Sequence, residues 1–383
     1  MEYIKKAAKT AESDTKKIRS IVQGILANIE KNGEHAVTQL AKKFDAWEGD
    51  FILSQEKKQR LINSVPEDIK RDIRFAHEQV SGFAKAQRES IREFEKETLP
   101  GVRLGQRIIP MKVAGCYIPG GRFAHACSAI MSVATAKAAG VETVIACSPP
   151  RGDSIAPAVV YALDVAGADI IIEMGGVQAI ATMAFGLFTG KPANILAGPG
   201  NAYVAEAKSI LSSAGKCTID VFAGPTESAI IADKTADYMT VAVDLVSQAE
   251  HGYDSPVWLF TDSKKLGEKV LEVIPKIIAD MPNPEVPEAS WRDYGEIVLC
   301  RNREELCRVN DQYAAEHVQI MADDLEWWVR NLNSYGSLFL GEGSTVPHGD
   351  KCSGTNHILP TKKAGHYSGG LNVLKFLKIY TYQ

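Results

Sequence analysis

From about residue 103 the chain alternates short apolar runs with helical stretches, and no other feature restricts its fold as much. The apolar runs fall at 111–118, 142–147, 170–174, 194–196, 228–232, 257–260 and 296–300. Between them, 128–139, 156–166, 178–185, 202–212, 239–248 and 264–278 read as helices. This rhythm predicts mostly parallel sheets covered by helices on both faces. Glycine-rich turns at 119–121, 175–176, 198–200 and 224–225 stand where strands should end. In such sheets the ligand crevice opens beyond the carboxyl ends of the strands. Upstream, 12–97 reads as successive helices. Ile18, Ile21, Val22, Ile25, Leu26 and Ile29 follow helical spacing, and Asn32-Gly33 supplies a stop. The pattern resumes over 35–44, 55–64 and 67–94 and closes at Pro100-Gly101. Boundaries are expected near 110 and 225.

The 383 residues allow two or three domains with a large core. A net charge of −4, with basic residues mixed among acidic ones, gives no cationic field for nucleic acid or a membrane surface. Seven cysteines are dispersed without C-x-x-C spacing, which predicts buried thiols in a reducing compartment rather than a disulfide framework. The opening M-E-Y-I-K-K-A-A-K has no apolar signal core, and no uninterrupted apolar run is long enough to span a membrane. A cytoplasmic protein is expected.

Four stretches could carry chemistry. Asn194 to Ala205 reads strand, tight turn, helix, with Gly198-Pro199-Gly200 at the turn. Its free N–H groups suit a phosphate, yet the third glycine of a dinucleotide fingerprint is missing and an ordinary turn explains it equally. Cys116-Tyr117-Ile118-Pro119-Gly120-Gly121 and Met174 to Gln178 are open in the same way. Gln248 and His251 lie three apart on a helix end, where they could hold a metal with a distant carboxylate or simply sit at the surface. Glu316-His317 offers a carboxylate beside an imidazole, an acid–base pair if one cleft receives both, and a common dipeptide otherwise. The loop 348–361 gathers two histidines, an aspartate, an asparagine and a lysine among glycines.

Taken together and in this order, seven motifs resemble the histidinol dehydrogenase family from about residue 15 to the last residue. They are Y-I-P-G-G (117–121), G-G-V-Q-A-I (175–180), G-P-G-N-A-Y-V (198–204), A-G-P-T-E (223–227), S-Q-A-E-H (247–251), Y-A-A-E-H (313–317) and G-T-N-H-I-L-P-T (354–361). The resemblance implies an α/β fold of two Rossmann-like parallel-sheet domains with an N-terminal helical segment. Residues 1–24 would form a helical arm. Residues 25–110 and 225–375 would form a discontinuous catalytic and metal domain, and 111–224 an NAD domain. It further implies a zinc- and NAD-dependent intertwined homodimer that oxidises a small primary alcohol through an aldehyde to a carboxylate. By resemblance, Gln248, His251 and Asp350 bind zinc. Tyr117, Gln178 and Asn201 contact NAD, and Glu316 and His317 are the catalytic pair. Thr226, Gln248, His251, His317, Asp350 and His357 line the substrate pocket.

Two departures shape the expectation. The family's fourth zinc ligand is a histidine in a small C-terminal helical segment, which His366 does not match. Residues 376–383 would begin that segment, either as part of a longer chain or with the zinc site lacking that ligand. Second, the family usually carries P-E-x-x-G-D ahead of the loop, its glutamate receiving a cationic substrate's ammonium. Here Val346 takes the acid's position, while Arg122, Lys351 and Arg292 add cationic groups near motif loops. An anionic substrate is expected. The sulfopropanediol 3-dehydrogenase branch, whose substrate is a sulfonate, shares G-C-Y-x-P-G-G-R-x-A-H (115–125), W-R-D-Y-G-E-I (291–297) and G-D-K-x-S-G (349–354). His125 and Arg122 would then lie at the mouth of the NAD-side crevice.

Overall fold

The computed structural model describes residues 1–9, 15–120, 125–221 and 224–383. The chain divides into two compact units. The first comprises Thr15–Phe222, Asp350–Ile358 and Leu371–Gln383. The second comprises Met1–Asp14, Ala223–Gly349 and Leu359–Gly370.

In the first unit five parallel strands lie side by side in the order Ile170–Glu173, Thr143–Ser148, Val113–Tyr117, Ile195–Ala197, Thr218–Ile219. Numbered along the chain, that is 3-2-1-4-5, the doubly wound order. All six residues of Thr143–Ser148 are buried, as a strand covered on both faces requires. Val144 and Ala146 join one core with the helices Ala126–Ala138, Pro157–Ala166 and Glu67–Glu89. Ile145 and Cys147 join the other core, which holds the helices Gly176–Phe185 and Ala202–Ser213.

The helix Thr15–Phe44 closes that second face. Its Val22, Leu26, Ile29 and Val37 pack against Ile180, Ala184 and Ala207. The expected stop is present: Gly33 takes φ 57°, ψ −138° and divides the helix. The upstream helices thus share a unit with the 111–222 sheet, whereas the sequence led us to group 25–110 with 225–375. An apolar stripe fits whichever helical layer needs covering, and the stripe alone does not name it.

Helix also gives way to strand earlier than the periodicity suggests. The helix Glu67–Glu89 is capped at Ser90. The strands Phe94–Leu99 and Val102–Pro110 then form a hairpin, and Leu377–Tyr382 pairs on its other side. The Phe94–Leu99 sequence, FEKETL, is rich in helix formers, and the antiparallel pairing overrides its propensity.

The second unit repeats the order 3-2-1-4-5 with Glu296–Leu299, Val257–Thr261, Ser228–Ala232, His317–Met321 and Ser337–Leu340. Glu2–Lys5 adds an antiparallel edge strand beside Glu296–Leu299. Residues 2–5 are therefore strand and not part of a helical arm. Ile4 packs against Gly267, and the Tyr3 hydroxyl lies 3.2 Å from that of Tyr313. The helices Tyr238–Ala249, Lys264–Ala279 and Glu285–Tyr294 cover one face, and Arg303–Tyr313 and Leu325–Asn331 the other. The two sheets share a topology without a recognisable sequence repeat. No helix among the described residues is long and apolar enough to cross a membrane.

Candidate active site

In the first unit the strand order reverses between Val113–Tyr117 and Ile195–Ala197, so the connections from their carboxyl ends leave to opposite faces, the place where such sheets bind ligands. Gly198 follows at once with φ +114°, and a Cβ there would stand 2.0 Å from the Tyr117 carbonyl oxygen. Only glycine allows that approach. The Gly176 amide donates to the Tyr117 hydroxyl at 3.2 Å, and burial raises the pKa of that phenol. The Gln178 amide group donates to Asp45 Oδ2 at 3.0 Å, which also accepts from the Gly175 amide at 3.2 Å. Asn201 Oδ1 accepts from the Tyr203 and Val204 amides and caps the helix Ala202–Ser213. Tyr117, Gln178 and Asn201 therefore all stand at the carboxyl edge of this one sheet.

The segment Asp350–Ile358 belongs to the same unit and docks on the helix Ala126–Ala138. His357 Nδ1 donates to the Asp350 carbonyl at 2.7 Å, and its Nε2 accepts from the Ser128 hydroxyl at 2.9 Å. A carbonyl partner on one nitrogen fixes the tautomer. Asn356 donates to the Met131 carbonyl at 3.1 Å. His125 is pushed toward its neutral form by burial and by neighbouring His357 and Arg151. Arg122 lies outside the described residues.

In the second unit Glu316 and His317 open the strand His317–Met321, so they stand at the amino edge of its sheet, opposite to the usual crevice. The Glu227 carbonyl accepts from the His317 amide at 3.1 Å, and the Glu227 amide donates to Glu316 Oε2 at 3.1 Å. The imidazole Nδ1 lies 3.6 Å from Glu316 Oε2. Two residues along the strand, Gln319 donates to Asp244 Oδ2 at 2.8 Å. That contact joins the strand to the helix Tyr238–Ala249, which runs antiparallel to it. Four residues of helix and two of strand both advance roughly 6 Å. Gln248 follows Asp244 by one turn, on the same helical face, and His317 shares a sheet face with Gln319. Gln248 and His317 therefore lie toward the same end of the helix–strand contact that Asp244 and Gln319 make. His251 lies two residues past the helix, exposed. Thr226 directly precedes Glu227. Asp350 belongs to the other compact unit.

Glu227 was visible in the sequence only as the last letter of A-G-P-T-E. Its carboxyl is buried, and Oε1 accepts from the Lys362 amide at 2.8 Å. Burial raises its pKa to about 7, against the Lys362 amide, the charges of Lys362 and Lys363, and His317. Arg292 departs from expectation: its guanidinium pairs with Asp293 at 2.9 and 3.0 Å, which occupies the charge proposed for an anion.

Comparison with known proteins decides what this arrangement belongs to. The histidinol dehydrogenase family model matches residues 8–383. The chain belongs to the histidinol dehydrogenase family. It is 54% identical to the sulfopropanediol 3-dehydrogenase of Ruegeria pomeroyi, over 100% of this chain and 88% of the relative. It is 36% identical to the histidinol dehydrogenase of Methanothermobacter thermautotrophicus, over 99% of this chain and 89% of the relative. The crystal structure of histidinol dehydrogenase from Elizabethkingia anophelis superposes with a TM-score of 0.91 at 31% identity, over 99% of this chain and 86% of that one.

Members of the histidinol dehydrogenase family are NAD-dependent oxidoreductases acting on CH–OH groups, and the family in general binds zinc. This chain is accordingly an NAD-dependent alcohol dehydrogenase. Among the described residues no group of three or more His, Cys, Asp or Glu could hold a metal. The assigned donors are an amide, an imidazole and a carboxylate, which do not form such a group. One feature fits a metal: Gln248 Oε1 is buried without a hydrogen-bond partner in the structure. A buried amide oxygen in that state is costly unless something binds it.

Proposed function

We propose that this enzyme oxidises a small anionic primary alcohol in two NAD-linked steps to a carboxylate, converting 2,3-dihydroxypropane-1-sulfonate to sulfolactate. Oxidation of L-histidinol to L-histidine is the second reading. One observation carries the choice. Val346 is 2% exposed where the resemblance expects an acid for a substrate ammonium. A buried valine gives a cation no counter-charge, and burying an unpaired charge is expensive. The higher identity to a relative named for a sulfonated diol supports the same choice.

Zinc, held by Gln248 Oε1, His251 and Asp350, would polarise the substrate oxygen as a Lewis acid. His317 accepts the hydroxyl proton in the first oxidation, because imidazole is a side chain suited to taking up and releasing protons. Glu316 then takes a proton from the water that adds to the aldehyde. One alcohol, one water and two NAD+ thus yield a carboxylate, two NADH and three protons. Tyr117, Gln178 and Asn201 would receive NAD, while Thr226 and His357 line the substrate pocket. His125 would stand at the mouth of the NAD-side crevice, where its imidazole N–H suits a sulfonate oxygen.

The enzyme acts as a cytoplasmic homodimer. Phe94, Val102, Leu104 and Ile379 share one face of the three-stranded antiparallel sheet, and all are exposed. An apolar face of this kind is ordinarily covered, and a second copy is the proposed cover.

The deciding experiment measures NADH produced from limiting dihydroxypropanesulfonate and from limiting histidinol, with zinc present. Two NADH per sulfonate and little from histidinol are expected. A higher kcat/KM for histidinol would reverse the assignment.

A further inference from the structure

Lys208 and Asp220 form an ion pair of 2.5 Å with side chains 2% and 0% exposed, and the proposed chemistry uses neither. Each also grips the same glycine. Lys208 Nζ donates to the Gly198 carbonyl at 2.9 Å. Asp220 Oδ2 accepts from the Gly198 amide at 2.7 Å, and Oδ1 from the Val221 amide at 2.7 Å. Gly198 therefore has both backbone polar groups tied to one buried pair. Its φ of +114° is one that residues with a side chain rarely adopt, and a Cβ there would strike the Tyr117 carbonyl. Three residues later stands Asn201.

A fully buried ion pair is a poor source of net stability, since desolvating both charges roughly cancels their attraction. In some proteins such a pair serves instead to fix geometry. We propose that Lys208 and Asp220 are positioning residues that hold the Gly198-Pro199-Gly200-Asn201 turn in its NAD-receiving shape before the nucleotide arrives. The inference rests on reading this sheet edge as the NAD site. Without the brace, the turn must be ordered by NAD itself, and that cost is taken from binding. Neither residue touches the alcohol, so the effect falls on NAD alone.

The test uses the neutral pair Lys208→Met with Asp220→Asn, which leaves no charge buried alone. The NAD KM should rise about tenfold, while the alcohol KM and the kcat at saturating NAD hold within about twofold. A general structural defect would lower kcat or raise both KM values together. Asn201→Ala separates the two layers of the argument. If it raises the NAD KM and the double variant does not, the site stands and the brace is wrong. If neither does, both fall. Should the double variant not fold, hydrogen exchange on the wild type decides. A Gly198 amide protected before NAD is added supports the brace, and one protected only afterwards overturns it.

Discussion

Gln248 Oε1 is buried with no hydrogen-bond partner, a costly state that a cation or a donor would relieve. Gln248→Leu should cut bound zinc to under about a tenth of an equivalent per chain, read by atomic absorption, with little loss of stability. Full zinc in that variant would remove Gln248 from the ligand set. Glu316→Gln should depress oxidation of the aldehyde, assayed directly, more than oxidation of the alcohol. Equal losses would contradict a water-activating role. Glu227 gives a pH signature. Its folded pKa, about 7, lies above its unfolded value, so it contributes stability that is full below the unfolded pKa. That contribution fades as pH rises through the folded value. Glu227→Gln should therefore gain on the wild type between pH 5 and pH 8, by up to about 3 kcal/mol in urea unfolding. A pH-independent difference would mean the carboxyl is not held neutral. At this scale the motif letters were readable, but Asp45, which holds Gln178 and Gly175, was not. It follows a helix with no motif around it, and only folding brings it to the turn.

The strand–turn–helix elements were the most legible part of the chain. The run 228–232 coincides with the strand Ser228–Ala232, and most others agree to within a residue or two. Fully buried parallel strands leave continuous apolar runs, and helices between them leave an unbroken 3.6-residue period. The strands His317–Met321 and Ser337–Leu340 escaped notice, the first because its histidine and glutamine interrupt the run. The C-terminal strand Leu377–Tyr382 acquires its identity only by pairing with the hairpin. The turn at Gly198 permits a sharp element-level test. Gly198→Ala would drive a methyl into the Tyr117 carbonyl and should cost well over 1 kcal/mol, seen as a lowered Tm together with a raised NAD KM. A neutral substitution would show that the turn relaxes freely.

For the whole molecule, the expectation of two Rossmann-like sheets holds, while the assignment of the upstream helices had to be drawn from packing. The exposed apolar face gives a prediction about assembly. Leu104→Glu should shift the protein from dimer to monomer in sedimentation at micromolar concentration. A monomeric wild type, or a variant still dimeric, would mean this sheet is not the contact.

The two units share one strand order, and the residues proposed for NAD and for the metal lie at opposite edges of their sheets, with an electrostatic consequence. At the carboxyl edge of the first sheet, the helices Gly176–Phe185 and Ala202–Ser213 begin, so their positive dipole ends face outward. That polarity favours a diphosphate. At the amino edge of the second sheet, the helix Tyr238–Ala249 ends at Gln248 and Ala249, and its negative pole faces outward. That polarity favours a cation. In the proposed function one architecture, read from its two ends, would sort nucleotide from metal by the direction of its peptide dipoles before any side chain takes part.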